Sequence, residues 1–106
     1  MLLFHATPAR NLPSILRAGL LCSKSQGKLP VVWLCVSSKR TWGLLHTIKR
    51  HGGRAESTVL LEICVPRRWL KRSSRKGLWI CRRDVRADRI RRVLTFQQVA
   101  ESSTEK

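Results

Sequence analysis

The chain has 106 residues, enough for one domain with a single core, and its 22 Lys and Arg against six Asp and Glu give a net charge of +16. No apolar run approaches the roughly 20 residues that span a bilayer, and the N-terminus lacks the leader of a secreted protein, so a cytoplasmic protein without a membrane partner is expected. Fifteen of the basic residues are Arg, which bonds phosphate through a planar fork, so nucleic acid is the favoured partner and compositional drift toward Arg is the alternative.

The first predicted elements are a strand over Leu2–Ala6 and a short helix. Apolar residues at helical spacing place this helix over Leu12–Ala18. Asn11 is its expected N-cap, Pro13 fits the first turn, and Gly19 is its expected C-cap.

A polar loop over Cys22–Pro30 leads to a second predicted strand, the apolar run Val31–Val36. A second helix follows, with Ser37 or Ser38 as its cap and Gly52-Gly53 as its end. Its expected buried stripe consists of Thr41, Leu44, Leu45 and Ile48.

The second half of the chain predicts mainly strands, and the clearest is Thr58–Val65, whose side chains alternate between two faces. The others are Leu78–Cys81 and Val93–Phe96, with one helical turn at Arg86–Ile90. Because the helices come early and the strands late, we expect the α+β class. The expected organisation is one domain over residues 1–98 and a polar, disordered tail over residues 99–106.

The four cysteines are best explained as buried thiols in a reducing compartment, with a disulfide pair as the alternative. They are separated by 13, 29 and 17 residues without a C-x-x-C pair, so no metal site is expected. They are Cys22, Cys35, Cys64 and Cys81.

A basic segment over Arg67–Lys76 is the strongest nucleic-acid feature, with six basic residues in ten and an aromatic, Trp69, to stack on a base. Between Arg67 and Arg92 there are twelve basic and two acidic residues. A solvated charged face is the alternative interpretation. The candidate nucleic-acid-binding residues, for RNA or DNA, are Arg67, Arg68, Trp69, Lys71, Arg72, Arg75, Lys76, Arg82 and Arg83.

The motif His5-Ala6-Thr7 ends the first strand, where an imidazole and a hydroxyl can hydrogen-bond a ribose or an amide; a structural histidine is the alternative. Leu3–Thr7 and Ser14–Leu20 resemble the opening of ADP-ribosyltransferase-fold proteins, a strand with H-x-T followed by a helix ending in I-x-x-x-G-L. Val32–Cys35 looks like the second strand of that fold. Ser37-Ser38-Lys39 and then Trp42 resemble a turn and aromatic of the poly(ADP-ribose) polymerase branch.

Residues 2–92 are most similar to the NAD-binding C-terminal lobe of RNA 2′-phosphotransferases, and DNA-targeting ADP-ribosyltransferase toxins resemble the N-terminal stretch almost as well. The further matching pieces are Arg50–Gly53, Val59–Ile63, Gly77–Ile80 and Asp84-Val85. The resemblance implies a minimal fold with a split, antiparallel-rich sheet and two short helices, and NAD as co-substrate. The implied NAD-binding residues are His5, Ala6, Thr7, Trp33, Ser37, Ser38 and Trp42, with core packing as the alternative for both tryptophans.

The chain departs from this family at the catalytic residue. Most members place a Glu at the start of a late strand, but Lys71–Arg83 contains no acid, and neither Glu62 nor Asp84 matches that position. The 2′-phosphotransferases use Arg and His instead, most of them on an N-terminal lobe, and Lys28 only partly replaces an Arg expected before the second strand.

Three functions follow as hypotheses. The leading one is transfer of ADP-ribose from NAD to a nucleic-acid phosphate or base. The alternatives are a non-catalytic, basic nucleic-acid-binding module on the same fold, and the NAD lobe of a split RNA 2′-phosphotransferase whose missing lobe is a partner chain.

Overall fold

The computed structural model describes residues 1–24 and 31–104, which form six strands and three α-helices. In chain order they are β1 (Leu2–Pro8), α1 (Leu12–Ala18), β2 (Val32–Cys35), α2 (Arg40–His51), β3 (Thr58–Cys64), β4 (Leu70–Arg72), β5 (Leu78–Cys81), β6 (Ile90–Thr95) and α3 (Phe96–Thr104). The α+β class is confirmed, with one strand and one helix more than predicted. Most of the predicted loop Cys22–Pro30, including Lys28, lies outside the described residues. No helix in the described ranges is long and apolar enough to cross a membrane.

The strands form one antiparallel sheet in the order β4-β5-β2-β1-β3-β6. β1 pairs with β3 along its whole length, from Leu2↔Cys64 to Pro8↔Thr58. Its pairing with β2 is limited to Phe4↔Cys35. The sheet therefore consists of two three-stranded halves that meet at one residue pair and separate beyond it.

Both faces of the sheet are covered, because alternate side chains of β3 point to opposite faces and both sets are apolar. On one face, Leu61 and Ile63 pack in a cluster that includes Ile15 of α1. On the other face, Leu60 packs with Leu44 of α2 and Val99 of α3. The alternation predicted for β3 is confirmed, and its burial on both faces follows from its position inside the sheet.

Helix α3 replaces the end of the predicted last strand and most of the predicted tail. The Thr95 amide donates to Gln98 Oε1 at 2.8 Å, and the Gln98 amide donates to Thr95 Oγ1 at 3.1 Å. This reciprocal pair is a capping box, which starts a helix at Phe96. Val99 is buried in the core, and the helix continues to Thr104. The last two residues of the tail lie outside the described ranges.

Smaller differences have local causes. α1 and β5 have the predicted bounds, but Asn11 makes no side-chain cap, because its amide Nδ2 donates to Thr7 Oγ1 at 3.3 Å. In α2, Leu44 is buried whereas Leu45 is 53% exposed, so the predicted stripe is too wide. All four cysteines are free thiols; Cys35 and Cys81 are buried, and burial raises the pKa of Cys35 to about 11.

Candidate ligand cleft and basic surface

The two halves of the sheet separate beside His5. Continuing the Phe4↔Cys35 register would bring Ala6 opposite Trp33, but the described pairing of β1 with β2 has already stopped. His5 Nδ1 lies 2.8 Å from the Trp33 carbonyl oxygen. Because a carbonyl oxygen only accepts, Nδ1 donates this bond. The imidazole thus connects β1 to β2 at a point where a backbone hydrogen bond would join two paired strands.

The protonation state of His5 follows from this position. Burial lowers the pKa of His5 below its ordinary value, and the hydrogen bond to the Trp33 carbonyl opposes that effect without cancelling it. The neutral imidazole is therefore favoured at pH 7. Since Nδ1 carries the proton, Nε2 keeps its lone pair and can accept a hydrogen bond from a hydroxyl group.

The separated strands open a cleft of about 760 Å³, which is in the size range of cofactor sites. Its walls come from β1, β2, α1, α2 and the turn between β4 and β5. The predicted NAD-binding residues that line it are His5, Ala6, Thr7, Trp33 and Trp42. Ser37 and Ser38 do not line it; they form an exposed 3₁₀ turn before α2.

Both tryptophans of the cleft are accessible. Trp33 on β2 is 42% exposed and Trp42 on α2 is 39% exposed. Trp42 stacks on His46, with ring centroids 5.0 Å apart and planes 8° from parallel. Neither ring belongs to the core clusters, so both can contact a flat heterocycle in the cleft.

The cleft is electropositive. Four of its lining residues carry full positive charges, and no Asp or Glu is among the described residues that line it. Burial, and then the charges of Arg10 and Arg50, lowers the pKa of His51, and all three residues line the cleft. The four cations are Arg10, Lys24, Arg50 and Arg75. An anionic ligand fits this charge distribution.

Glu62 and Asp84, the two acids weighed as catalytic candidates, are engaged outside the cleft. Glu62 accepts two hydrogen bonds from Arg92, Nε to Oε2 at 2.8 Å and Nη2 to Oε1 at 3.0 Å. These bonds hold the pKa of Glu62 below its ordinary value although burial opposes them. Asp84 accepts from the Cys22 amide at 2.8 Å and so holds the chain after α1.

A second, shallower groove of about 340 Å³ lies beside β4. Five of the predicted nucleic-acid-binding residues line it together with Leu70: Arg68, Trp69, Lys71, Arg82 and Arg83. Arg75 lines the cleft instead, and Lys76 lines neither. The remaining two, Arg67 and Arg72, lie over the ring of Trp79, at 5.4 Å and 5.2 Å from its centroid.

Trp69, the residue predicted to stack on a base, lies between the core and two arginines. The ring is half-buried against the core, and Nε1 is buried without a hydrogen-bond partner among the described residues. The guanidinium groups of Arg83 and Arg89 lie 4.5 Å and 5.0 Å from the ring centroid. Both guanidinium groups thus lie over the ring that is predicted to stack on a base.

Several lining residues escaped the sequence analysis, including Arg10, His46 and Arg50. A signal for two of them was present, because Trp42, His46 and Arg50 are spaced by four residues and so share one face of α2. Arg10 has no such signal, since it lies in a 3₁₀ turn after β1.

Comparison with protein-family models gives no match, and comparison with curated proteins gives none either.

Proposed function

We propose that the chain is an ADP-ribosyltransferase-like protein that binds NAD in the cleft and transfers ADP-ribose to a nucleic-acid acceptor. The separation of the sheet at His5 carries this proposal. It brings together an imidazole whose Nε2 can accept a hydrogen bond, two accessible tryptophans and a set of cations. Ribose hydroxyls, a flat heterocycle and a pyrophosphate are the groups that such residues bind.

Each part of NAD has a matching group in the cleft. His5 Nε2 accepts from a ribose hydroxyl, and the buried Thr7 hydroxyl, which already accepts from Asn11, donates a second bond. Trp33 and Trp42 offer ring faces to the nicotinamide. Arg10 and Arg50, which line the cleft, place positive charge beside the pyrophosphate.

The state of the carboxylates favours a phosphate acceptor over a base. NAD supplies the ADP-ribosyl group. The glycosidic bond between its ribose and its nicotinamide breaks, and the electron pair leaves with nicotinamide, which becomes neutral. An acceptor oxygen bonds to the same ribose carbon. A phosphate oxygen is already anionic, so no proton has to be removed from it. Glu62 and Asp84 are engaged elsewhere, whereas Arg75 lies in the cleft and can hold the phosphate.

A non-catalytic module is the second candidate, and the engagement of Glu62 and Asp84 favours it. Such a protein would keep the NAD or ADP-ribose cleft and the basic residues without turnover. The two functions agree on binding and differ in whether a covalent product forms.

The first experiment measures NAD affinity. NAD should quench tryptophan fluorescence in a saturable manner, because two of the four tryptophans line the cleft. His5→Ala and Trp33→Ala should each weaken binding by about 1–3 kcal/mol, the cost of losing a polar or stacking partner. Trp33→Phe keeps an aromatic ring and should retain most of the affinity. Leu45→Ala, on an exposed residue outside the cleft, is the control. Full affinity in both alanine variants would place the pocket elsewhere.

The second experiment tests transfer. Labelled NAD is incubated with oligonucleotides that carry or lack a terminal phosphate. We expect label on the phosphorylated strand only, little NAD hydrolysis without an acceptor, and loss of product in Arg75→Gln with NAD quenching retained. Glu62→Gln should retain the product. Rapid hydrolysis without an acceptor would contradict this mechanism, and NAD binding without any product would select the non-catalytic module.

A further inference from the structure

Four arginines and two tryptophans form a continuous feature along the β4–β5 hairpin and the segments that flank it. Arg83 and Arg89 lie over Trp69, and Arg67 and Arg72 lie over Trp79, with every guanidinium carbon within 5.4 Å of a ring centroid. We call these six residues the Arg–Trp surface. Both rings pack against the core cluster on the α1 side of the sheet, so each provides a rigid support.

A guanidinium that lies over a ring keeps its N–H donors for other partners, because the ring attracts its positive charge and its donors lie in the guanidinium plane. None of the three ion pairs among the described residues involves an arginine of this surface. Arg67, Arg72 and Arg83 are exposed. Their donors are thus available to an anion while their positions are restricted.

The groove beside β4 extends this cationic surface through Arg68, Lys71 and Arg82. Lys and Arg on an edge strand also prevent it from pairing with other strands. That role requires only charge, whereas the Arg–Trp surface holds its charges at defined positions. Fixed, multiple guanidiniums are suited to a ligand with regularly spaced phosphates.

We propose that the Arg–Trp surface binds the sugar-phosphate backbone of a nucleic acid and makes no use of its bases. The tryptophans position the arginines, and the guanidiniums cover ring surface on which bases would otherwise stack. This inference rests on the nucleic-acid acceptor of the proposed function and specifies how that acceptor is held.

The hairpin also connects this surface to the cleft. Its turn brings Ser73, Ser74 and Arg75 to the cleft wall. A backbone bound along the hairpin therefore leads toward Arg75.

The test compares two fluorescent single strands of equal length and charge, one ordinary and one with all bases removed. Their affinities should agree within about twofold, because base stacking would otherwise contribute more than about fivefold per base. Affinity should fall as salt rises, and a triple variant with Arg67, Arg72 and Arg83 changed to Gln should flatten the log–log slope by about two units. A matched triple variant at Arg17, Lys49 and Arg91, exposed cations outside the cleft and the surface, should leave the slope nearly unchanged.

Trp69 variants test the positioning role. Trp69→Leu should lower affinity for the base-free strand severalfold, although no base is present to stack, while Trp69→Phe keeps a ring and should preserve it. NAD quenching reports that each variant is folded. Two results would overturn this inference and leave the proposed function standing. One is a base-free strand that binds more than tenfold more weakly than the ordinary strand, and the other is an equal salt slope in the two triple variants. If neither strand binds while NAD still does, the nucleic-acid acceptor is also wrong and the NAD cleft stands.

Discussion

At the scale of single residues, His5 determines both the shape and the chemistry of the cleft. Its Nδ1 donates to a carbonyl on the separated strand, so the ring orientation and the tautomer are set by the same bond. Its lowered pKa keeps the ring neutral and leaves Nε2 as an acceptor. A protonated ring would lose this acceptor and add another charge to a cleft that already contains four cations.

NAD affinity should therefore depend on pH through His5. Affinity should be constant above pH 7 and fall only as the pH drops below 6.5, the ordinary value from which the pKa of His5 is lowered. Because the unfolded chain binds this proton more readily, stability should also fall as the pH drops from 6.5 toward the folded-state pKa. A fluorescence titration between pH 5 and pH 8 measures the binding effect.

Two histidine variants serve as controls for that titration. His5→Gln should remove the pH dependence of binding, whereas His51→Gln should preserve it, although the pKa of His51 is lowered as well. If only His51→Gln removed the dependence, the titrating acceptor would have been assigned to the wrong histidine.

At the scale of elements, the end of α1 builds one wall of the cleft. Gly19 has φ 84° and ψ −171°, a conformation open almost only to glycine. It also approaches a neighbouring segment closely, since a Cβ there would clash with the Val85 carbonyl oxygen. The next residue, Leu20, forms a β-bridge with Val85, which ties α1 to the segment before β6.

Gly19→Ala should lower the free energy of unfolding by about 3 kcal/mol, because it combines an unfavourable φ with a backbone clash. The matched variant is Gly52→Ala at the end of α2, where φ is 64° but a Cβ would meet no atom within 4 Å. It should cost only about 1 kcal/mol. Urea unfolding of both proteins measures the difference, and equal losses would refute the role assigned to the close approach.

At the scale of the whole molecule, charge and sheet topology act together. The net charge of +16 opposes a compact fold through self-repulsion. Much of it is placed along the β4–β5 half of the sheet and in the cleft, where an anionic ligand would neutralise it. The other half contains the bidentate Glu62–Arg92 pair, which joins β3 to β6. Among the described residues, strand pairing between the two halves is limited to Phe4↔Cys35, so the cleft is a consequence of the topology.

The sequence by itself determined what depends on neighbours along the chain: the bounds of α1 and β5, the two faces of β3 and the overall basic charge. It also contained the Thr95–Gln98 capping box and the shared helix face of Trp42 and His46, two local signals that escaped interpretation. Tertiary structure alone decided where β1 leaves β2, which nitrogen of His5 carries the proton, and that arginines lie over Trp69. These features join residues far apart in sequence, such as His5 and Trp33, 28 positions apart. Periodicity and capping report local hydrogen bonding and burial, whereas a strand's pairing length and the partner of an aromatic face are set by distant packing.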